Sequence, residues 1–408
     1  MKKFITAFNG VRDLYSVPQA LAEEDLLERH VSDLYLPRAI AESRLFSGSK
    51  LKSRTNTKLP FQRVHIDFPA LLSTALLRWR GESIGSDPYY AVDRCLSMAA
   101  SRLAQQTGAN LFLHSGFGYW AFERNPTVRR LLFQFHPHPF SIREILERDF
   151  ERHPEVRWSF ENEVDSRPKS VQYAERVEEW KLADRILCAS TFTKQSLVDQ
   201  GCDSGKIEVA PYGVDTHRHD MRISDRSRDH AACRFLFVGQ GVQRKGLHHL
   251  LKAWRLADLP GAELLVVSRR MDPGIAALGS ARVTFVNGLS QVELETLYSQ
   301  CSVFVMPSLV EGFGLVYGEA LNAGLYCIGT RNTGLPDLQL NSDQSILVSP
   351  GDVEGLAVAL VDAHEKWRRG EIDKNSIANS VKGHTWALHR SRVKQFVASS
   401  KQDETGTH

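Results

Sequence analysis

Glu311 and Glu319 bracket a turn in the stretch Ser308-Leu-Val-Glu311-Gly-Phe-Gly314-Leu-Val-Tyr-Gly-Glu319-Ala-Leu-Asn-Ala-Gly324, which follows the apolar run Val303-Phe-Val-Met-Pro307. An apolar run closed by Pro, a Gly-containing loop and a helical pattern broken at Gly324 predict strand, loop and helix. That order points free backbone N–H groups at an anion, and a phosphate-bearing ligand is the natural occupant. Carboxylates repel phosphate, so the two glutamates fit the hydroxyls of a sugar or ribose on either side of it. On shape alone a structural βα turn has an equal claim, because any doubly wound domain contains several. Two histidines stand at strand ends in the first half. His136 follows the run Leu131 to Phe135 and opens His136-Pro-His138-Pro139, while His114 follows Leu111-Phe-Leu113 and opens Ser115-Gly-Phe-Gly118.

The elements that must position these residues alternate along the chain. Phe4 to Phe8 reads as a first strand, and Val17 to Leu27, Leu71 to Trp79 and Ala91 to Gln106 as helices. Leu111 to Leu113, Leu131 to Phe135 and Arg185 to Ala189 are strands, with a long charged helical region from Ser141 to about Leu182 and with Ser190-Thr191 placed to cap the next helix. The pattern ends at Ile207 to Asp215, and the polar segment His217 to Asp229 reads as an interdomain linker. It restarts with strands at Arg234 to Val238, Glu263 to Val267, Val283 to Val286, Val303 to Met306 and Tyr326 to Gly329. Helices are expected at Gly246 to Ala257, Gln291 to Gln300 and Val353 to Arg368, with a last amphipathic segment at Trp386 to Val397. Strands separated by helices at this spacing predict parallel sheets covered on both faces, with ligands at the C-terminal ends of the strands.

Composition sets the class. A chain of 408 residues is long for one domain and comfortable for two, and a net charge of +3 is too near zero to argue for nucleic acid or membrane by itself, so no nucleic-acid partner is expected. The six cysteines form no CxxC pair and no zinc-type Cys/His cluster, which favours a reducing compartment. The basic-then-apolar start at Met1 is too short for a signal segment and reads as a strand, and no run is long enough to span a bilayer, so a soluble cytoplasmic protein is expected. One local feature departs from the average. Between Glu42 and Asp67 lie Arg44, Lys50, Lys52, Arg54, Lys58 and Arg63 with no acidic residue. That basic 44–63 loop, followed by Phe68 to Trp79, offers a peripheral contact to the inner, anionic face of a membrane carrying a lipid-linked acceptor, beside the plainer reading of a solvated loop.

Four motifs in order, Pro211-Tyr-Gly-Val-Asp215, Val238-Gly-Gln-Gly-Val-Gln-Arg-Lys-Gly246, Glu311-Gly-Phe-Gly-Leu-Val-Tyr-Gly-Glu319 and His384-Thr-Trp386, resemble family 4 of the retaining glycosyltransferases (glycosyl transferases group 1) over about 185 to 397. The resemblance implies the α/β GT-B fold, two Rossmann-like doubly wound domains facing across a cleft: an acceptor-side domain over 1–212, a nucleotide-sugar domain over 213–385, and over 386–408 a C-terminal helix returning to the first domain and a frayed tail. It implies a hexosyltransferase using a UDP- or GDP-sugar, with no further cofactor. Glu311 would contact the transferred sugar, with Gly312 and Phe313 in the same loop. Glu319 would take the ribose hydroxyls, and the N–H groups of Gly314, Leu315 and Val316 the distal phosphate. Lys245 would neutralise the departing diphosphate, and His136 would stand beside the reacting centre. On the acceptor side, His114, His138 and Arg12 are the candidates. Aromatic residues of the first half, Phe117, Trp120, Tyr89, Tyr90 and Trp79, are candidates for stacking on acceptor sugars and individually fit a core equally well.

The chain departs from the family pattern twice. Gln240 stands where the family carries a second diphosphate cation, a role Arg244 could take over, and a Gly pair after the first strand is reduced to Asn9-Gly10, where Gly10 serves in part. No Asp-x-Asp pair or His/carboxylate cluster is visible in the sequence, so no metal is expected. The implied reaction is retaining, metal-independent transfer to a glycan or lipid-linked glycan hydroxyl in cell-surface polysaccharide synthesis, with same-face attack and the leaving phosphate accepting the acceptor's proton. A nucleotide-sugar-binding scaffold subunit of low activity and a GT-B epimerase are the alternatives. A pyridoxal-dependent phosphorylase lacks its lysine site here.

Overall fold

A computed structural model of the chain describes residues 2–41, 50–81, 89–163, 171–215 and 232–399. The 217–229 linker and the tail beyond Ser399 lie outside these residues, as does the 44–49 part of the basic loop. Two parallel sheets carry the architecture. The first contains β1 (Phe4–Ala7), β2 (Leu27–Ser32), β3 (Val64–Ile66), β4 (Asn110–His114), β5 (Arg130–Gln134), β6 (Arg185–Cys188) and β7 (Ile207–Val209) in the order β3-β2-β1-β4-β5-β6-β7. The second contains β8 (Cys233–Val238), β9 (Ala262–Val267), β10 (Val283–Val286), β11 (Val303–Val305), β12 (Tyr326–Thr330) and β13 (Ser345–Val348) in the order β10-β9-β8-β11-β12-β13. Every described pairing is parallel. The central strands are apolar on both faces because helices cover both, so Phe4, Leu111, Leu131, Phe235 and Val303 are wholly buried.

Each sheet reverses its strand order beside its first strand, between β1 and β4 and between β8 and β11. Crevices at such reversals are where ligands of this architecture sit, and the candidate residues cluster there. Gly10 and Arg12 follow β1, His114 ends β4, Lys245 follows β8 and Glu311 follows β11.

Four strands escaped the sequence pattern: β2, β3, β7 and β13. The helix expected over Val17 to Leu27 covers Ser16–Glu23, and Asp25 then turns left-handed at φ 50 so that Leu27 can begin β2. β2 carries Glu28, Arg29 and His30, a mixture whose period gives no strand signal, and it is a strand because β1 and β3 pair with it on both sides.

The chain crosses between the sheets at Tyr212 to Val214 and crosses back at Thr385. Val214 bridges Thr385, and a side chain on Gly213 would meet the Trp386 backbone at 2.3 Å, so only glycine lets the two crossings touch. The last helix, Trp386–Ser399, then lies on the first domain. Phe396 meets Phe112 at 5.7 Å between ring centroids, and Lys394 bonds Glu23 and Glu24 at 2.9 Å each. No helix among the described residues is long and apolar enough to cross a membrane.

Candidate active site

The loop after β11 and the loop after β8 meet at one carboxylate. Lys245 hydrogen-bonds Glu311 Oε2 through its ammonium, and Arg244 Nη1 donates to the same oxygen at 3.0 Å. Backbone bonds clamp the loops together: the Arg244 carbonyl accepts from Leu309 N at 3.0 Å, and Glu311 N donates to the Asn332 carbonyl at 3.0 Å. Gly246, at φ +69, permits the close approach, since any Cβ there would stand 2.0 Å from the Pro307 carbonyl oxygen.

Three cationic groups surround Glu311. Burial alone would raise its carboxyl, but Lys245, Arg244 and His136 outweigh burial and hold it well below the usual carboxylate range. Burial lowers the Lys245 ammonium from its ordinary value, against the opposing pull of Glu311. Gln240 is exposed at the tip of the β8 loop, and Arg244 supplies the second cation at Glu311, with its Nε 3.5 Å from Glu163.

The helix Leu315–Asn322 begins at Gly314, which adopts φ +86. Among the described residues no group accepts from the N–H groups of Gly314, Leu315 or Val316, and Leu315 is exposed, so the end of this helix is open. Phe313 packs under the loop against Tyr212 at 5.6 Å between ring centroids. Glu319, half-buried, accepts from the Tyr298 hydroxyl at 3.3 Å, a pairing across 21 residues that no local pattern announces.

The first domain closes over this loop. A Cβ on Gly312 would lie 2.0 Å from the Phe135 carbonyl oxygen and 3.3 Å from His136 Cα, and the Gly312 carbonyl accepts from Thr193 Oγ1 at 3.3 Å. His136 is thus half-buried beside Glu311, across the interdomain contact.

The other first-domain candidates scatter. Gly10 N is bonded to buried Asp33 at 3.0 Å, which in turn holds Arg54, so that amide serves the scaffold. Arg12 lies over the Phe135 and Phe117 rings at 4.8 and 5.5 Å, on the cleft side of β1. His114 is fully buried with Nε2 3.1 Å from Asp13, and burial pulls its imidazole below the ordinary value. His138 is also scaffold: Nδ1 accepts from Phe140 N at 3.3 Å as a helix cap, and Nε2 lies 3.2 Å from the Val177 carbonyl. Both ring nitrogens are engaged, which leaves none for an acceptor. Among the aromatic candidates, Tyr89 and Phe117 are core residues at 1% exposure each.

The fold also assembles a His/carboxylate group of which the sequence shows no sign. Asp149, from the helix Pro139–Arg152, accepts from His248 Nε2 at 3.0 Å, His249 Nε2 at 2.6 Å and Gln243 Nε2 at 2.8 Å. Among the described residues this is the one group whose donor atoms converge as a metal site would need, within 4.8 Å of one another. Asp149 already takes three N–H donors, so the group forms a hydrogen-bonded clamp, while His248 Nδ1, His249 Nδ1 and Gln243 Oε1 are buried without a partner among the described residues. The clamp joins the first domain to the segment that carries Arg244 and Lys245. Sequence reasoning missed it because Asp149 and His248 lie 99 residues apart.

Comparison with known proteins bears on the family and the fold. Residues 232–366 match the family described as glycosyl transferases group 1. The chain is 29% identical over 231 residues to a GDP-mannose-dependent alpha-(1-6)-phosphatidylinositol monomannoside mannosyltransferase of Mycolicibacterium smegmatis, covering 50% of this chain and 58% of that protein. It is 30% identical over 197 residues to the D-inositol 3-phosphate glycosyltransferase of Mycobacterium tuberculosis, covering 44% of this chain and 40% of the relative. The chain thus spans about half the length of the curated relatives it matches. Among solved structures, sucrose-phosphate synthase of Thermosynechococcus elongatus superposes with a TM-score of 0.63 at 17% identity over 99% of this chain and 100% of that one. HepE of Anabaena, in complex with UDP and glucose, does so with a TM-score of 0.61 at 14% identity, over 98% and 100%. The chain therefore has the GT-B fold, and residues 232–366 of its second domain match the glycosyl transferases of group 1.

Proposed function

We propose that the protein is a retaining, metal-independent hexosyltransferase that moves a sugar from a UDP- or GDP-sugar to a hydroxyl of a glycan or lipid-linked glycan in cell-surface polysaccharide synthesis. The observation that carries the reading is the convergence of Lys245 and Arg244 on Glu311 beside the open N-terminus at Gly314. A donor diphosphate entering there meets two fixed cations and unfilled amides, while Glu311 is held ionised to accept sugar hydroxyls.

In the transfer, the bond from the sugar's anomeric carbon to the diphosphate oxygen breaks and one from the same carbon to the acceptor oxygen forms on the same face. The acceptor's proton passes to the leaving phosphate. Charge grows on the diphosphate as its bond breaks, so Lys245 and Arg244 stabilise the transition state more than the bound donor. Glu319 stands one to two turns along the helix as the ribose ligand, and His136 lies at the sugar from the opposite domain. Relatives support the class. Two are named as mannosyltransferases, one as an amylovoran biosynthesis glycosyltransferase of Erwinia amylovora, and HepE was solved with UDP-glucose.

A thermal-shift panel of nucleotides and nucleotide sugars tests the donor half, since a ligand bound only by the folded state raises the melting temperature. UDP or GDP, with its sugar conjugate, is expected to stabilise the protein, and donor hydrolysis or transfer is expected to fall on the order of 10²-fold or more in Glu311→Ala and Lys245→Ala. Stabilisation by neither nucleotide would overturn the reading.

A further inference from the structure

The helix Phe68–Trp79 is buried on one side only. Ala70, Thr74 and Leu77 face the first domain, and the buried Asp67 caps the helix by accepting from Ala70 N at 3.0 Å. Its outer side, where a surface helix ordinarily carries polar residues, is apolar as well. Phe68 is 64% exposed, Leu72 56%, Leu76 47% and Trp79 83%. At 3.6 residues per turn these four fall within roughly 80° of arc, opposite the buried face. Arg78 and Arg80, both exposed, flank the stripe on its two sides.

Charge says what kind of surface this stripe meets. From Ser43 to Gly81 the sequence has one acidic residue, Asp67, and eight basic ones. Asp67 is buried, with Arg102 3.5 Å away, so no acidic side chain of this segment reaches solvent. Arg54 is spent on buried Asp33, while Lys58, Arg78 and Arg80 are exposed. A second copy of the same face would set arginine against arginine, which like-charge repulsion disfavours. An anionic sheet satisfies both components at once, phosphates for the arginines and an apolar boundary for the stripe.

We propose that the outer face of Phe68–Trp79 is a docking surface for an anionic lipid bilayer, the helix lying in the plane of the interface with Phe68, Leu72, Leu76 and Trp79 inserted and Arg78 and Arg80 at the headgroups. Docking there would hold the first domain against the surface that carries a lipid-linked acceptor. The contact is readable with neither donor nor acceptor present, so its failure would leave the transferase reading untouched.

The test is co-sedimentation of the full chain with phosphatidylcholine vesicles and with phosphatidylcholine–phosphatidylglycerol vesicles, at low and high salt, alongside gel filtration. Binding to the anionic vesicles that weakens with salt is expected. Leu72→Ser with Leu76→Ser, or Trp79→Ser alone, should reduce it on the order of tenfold or more, as should Arg78→Glu with Arg80→Glu, because each basic residue near an anionic surface contributes about a fivefold factor. These side chains face solvent, so melting temperatures should hardly change. Sedimentation with neither vesicle, sedimentation indifferent to the stripe variants, or a dimer that the stripe variants dissociate would each overturn the proposal, the last by assigning the face to a second copy.

Discussion

The molecule contains two glycine-bearing turns at comparable places, one after β4 at Ser115 to Gly118 and one after β11 at Glu311 to Gly314. Both lead into helices whose first backbone N–H groups need acceptors. In the first, the chain supplies its own anion: Glu179 accepts from Gly116 N at 2.8 Å and Tyr119 N at 3.1 Å, and from Gly118 N as well. In the second, the acid of the loop turns away to Lys245 and Arg244, and the amides at Gly314 to Val316 stay open. A turn of this kind is an anion site only where no carboxylate of the protein has filled it. Here the first is structural and the second stays open among the described residues.

Breaking the open turn should have the largest effect. Lys245→Ala removes the cation proposed to act on the leaving diphosphate, and a loss on the order of 10²- to 10³-fold in kcat is expected in a donor-turnover assay, with a smaller change in nucleotide affinity. Gly312→Ala follows. Its Cβ would stand 2.0 Å from the Phe135 carbonyl, so the domains must separate around His136, and a loss on the order of 10²-fold in kcat/KM is expected with nucleotide binding largely kept.

The filled turn should respond in stability instead. Glu179→Gln places amide hydrogens against backbone N–H groups and should cost about 3 kcal/mol, seen as a lower melting temperature, while UDP or GDP still stabilises the folded variant. Burial raises the Glu179 carboxyl from 4.5 to about 7, outweighing the amides that favour its charge. A carboxyl raised in the folded state contributes stability that is present below about 4.5 and is lost as pH rises through about 7, so the variant's melting temperature should decline less than the parent's over that window.

Asp149→Asn tests the clamp behind the open turn. One fewer acceptor faces His248, His249 and Gln243, and a several-fold loss in kcat is expected with little change in KM for the donor, because the segment carrying Lys245 loosens. The smallest effect is in the pH profile. Since burial lowers the Lys245 ammonium, the alkaline limb of kcat/KM should fall below the ordinary lysine value of 10.5, and that limb should be absent from whatever activity Lys245→Ala retains.

The strong helices and the apolar strands were legible because their periods are local. Val283–Val286, Gln291–Gln300 and Val353–Arg368 have the bounds that the pattern predicts. β2 was not legible, since Glu28, Arg29 and His30 make a strand only between two neighbours. The same division runs through the candidate site. The residue types at Lys245, Glu311, Gly314 and Glu319 and their loops can be read in one dimension, whereas the ownership of each anion hole cannot. Glu179 lies 63 residues from Gly116, and nothing in Ser115-Gly-Phe-Gly118 announces that it will arrive.

The sequence by itself determined the two alternating sheets, the glycines at the turns and the cation and carboxylates of the candidate donor loop, because periodicity, turn chemistry and charge are properties of neighbours along the chain. Only the tertiary structure decided which turn stays open, that Arg244 joins Lys245 on Glu311, that His114 and His138 belong to the scaffold, and that Asp149 ties the two domains together. Those are outcomes of contact between segments far apart in the chain, where burial and a competing partner, and not residue type, set what a side chain is free to do.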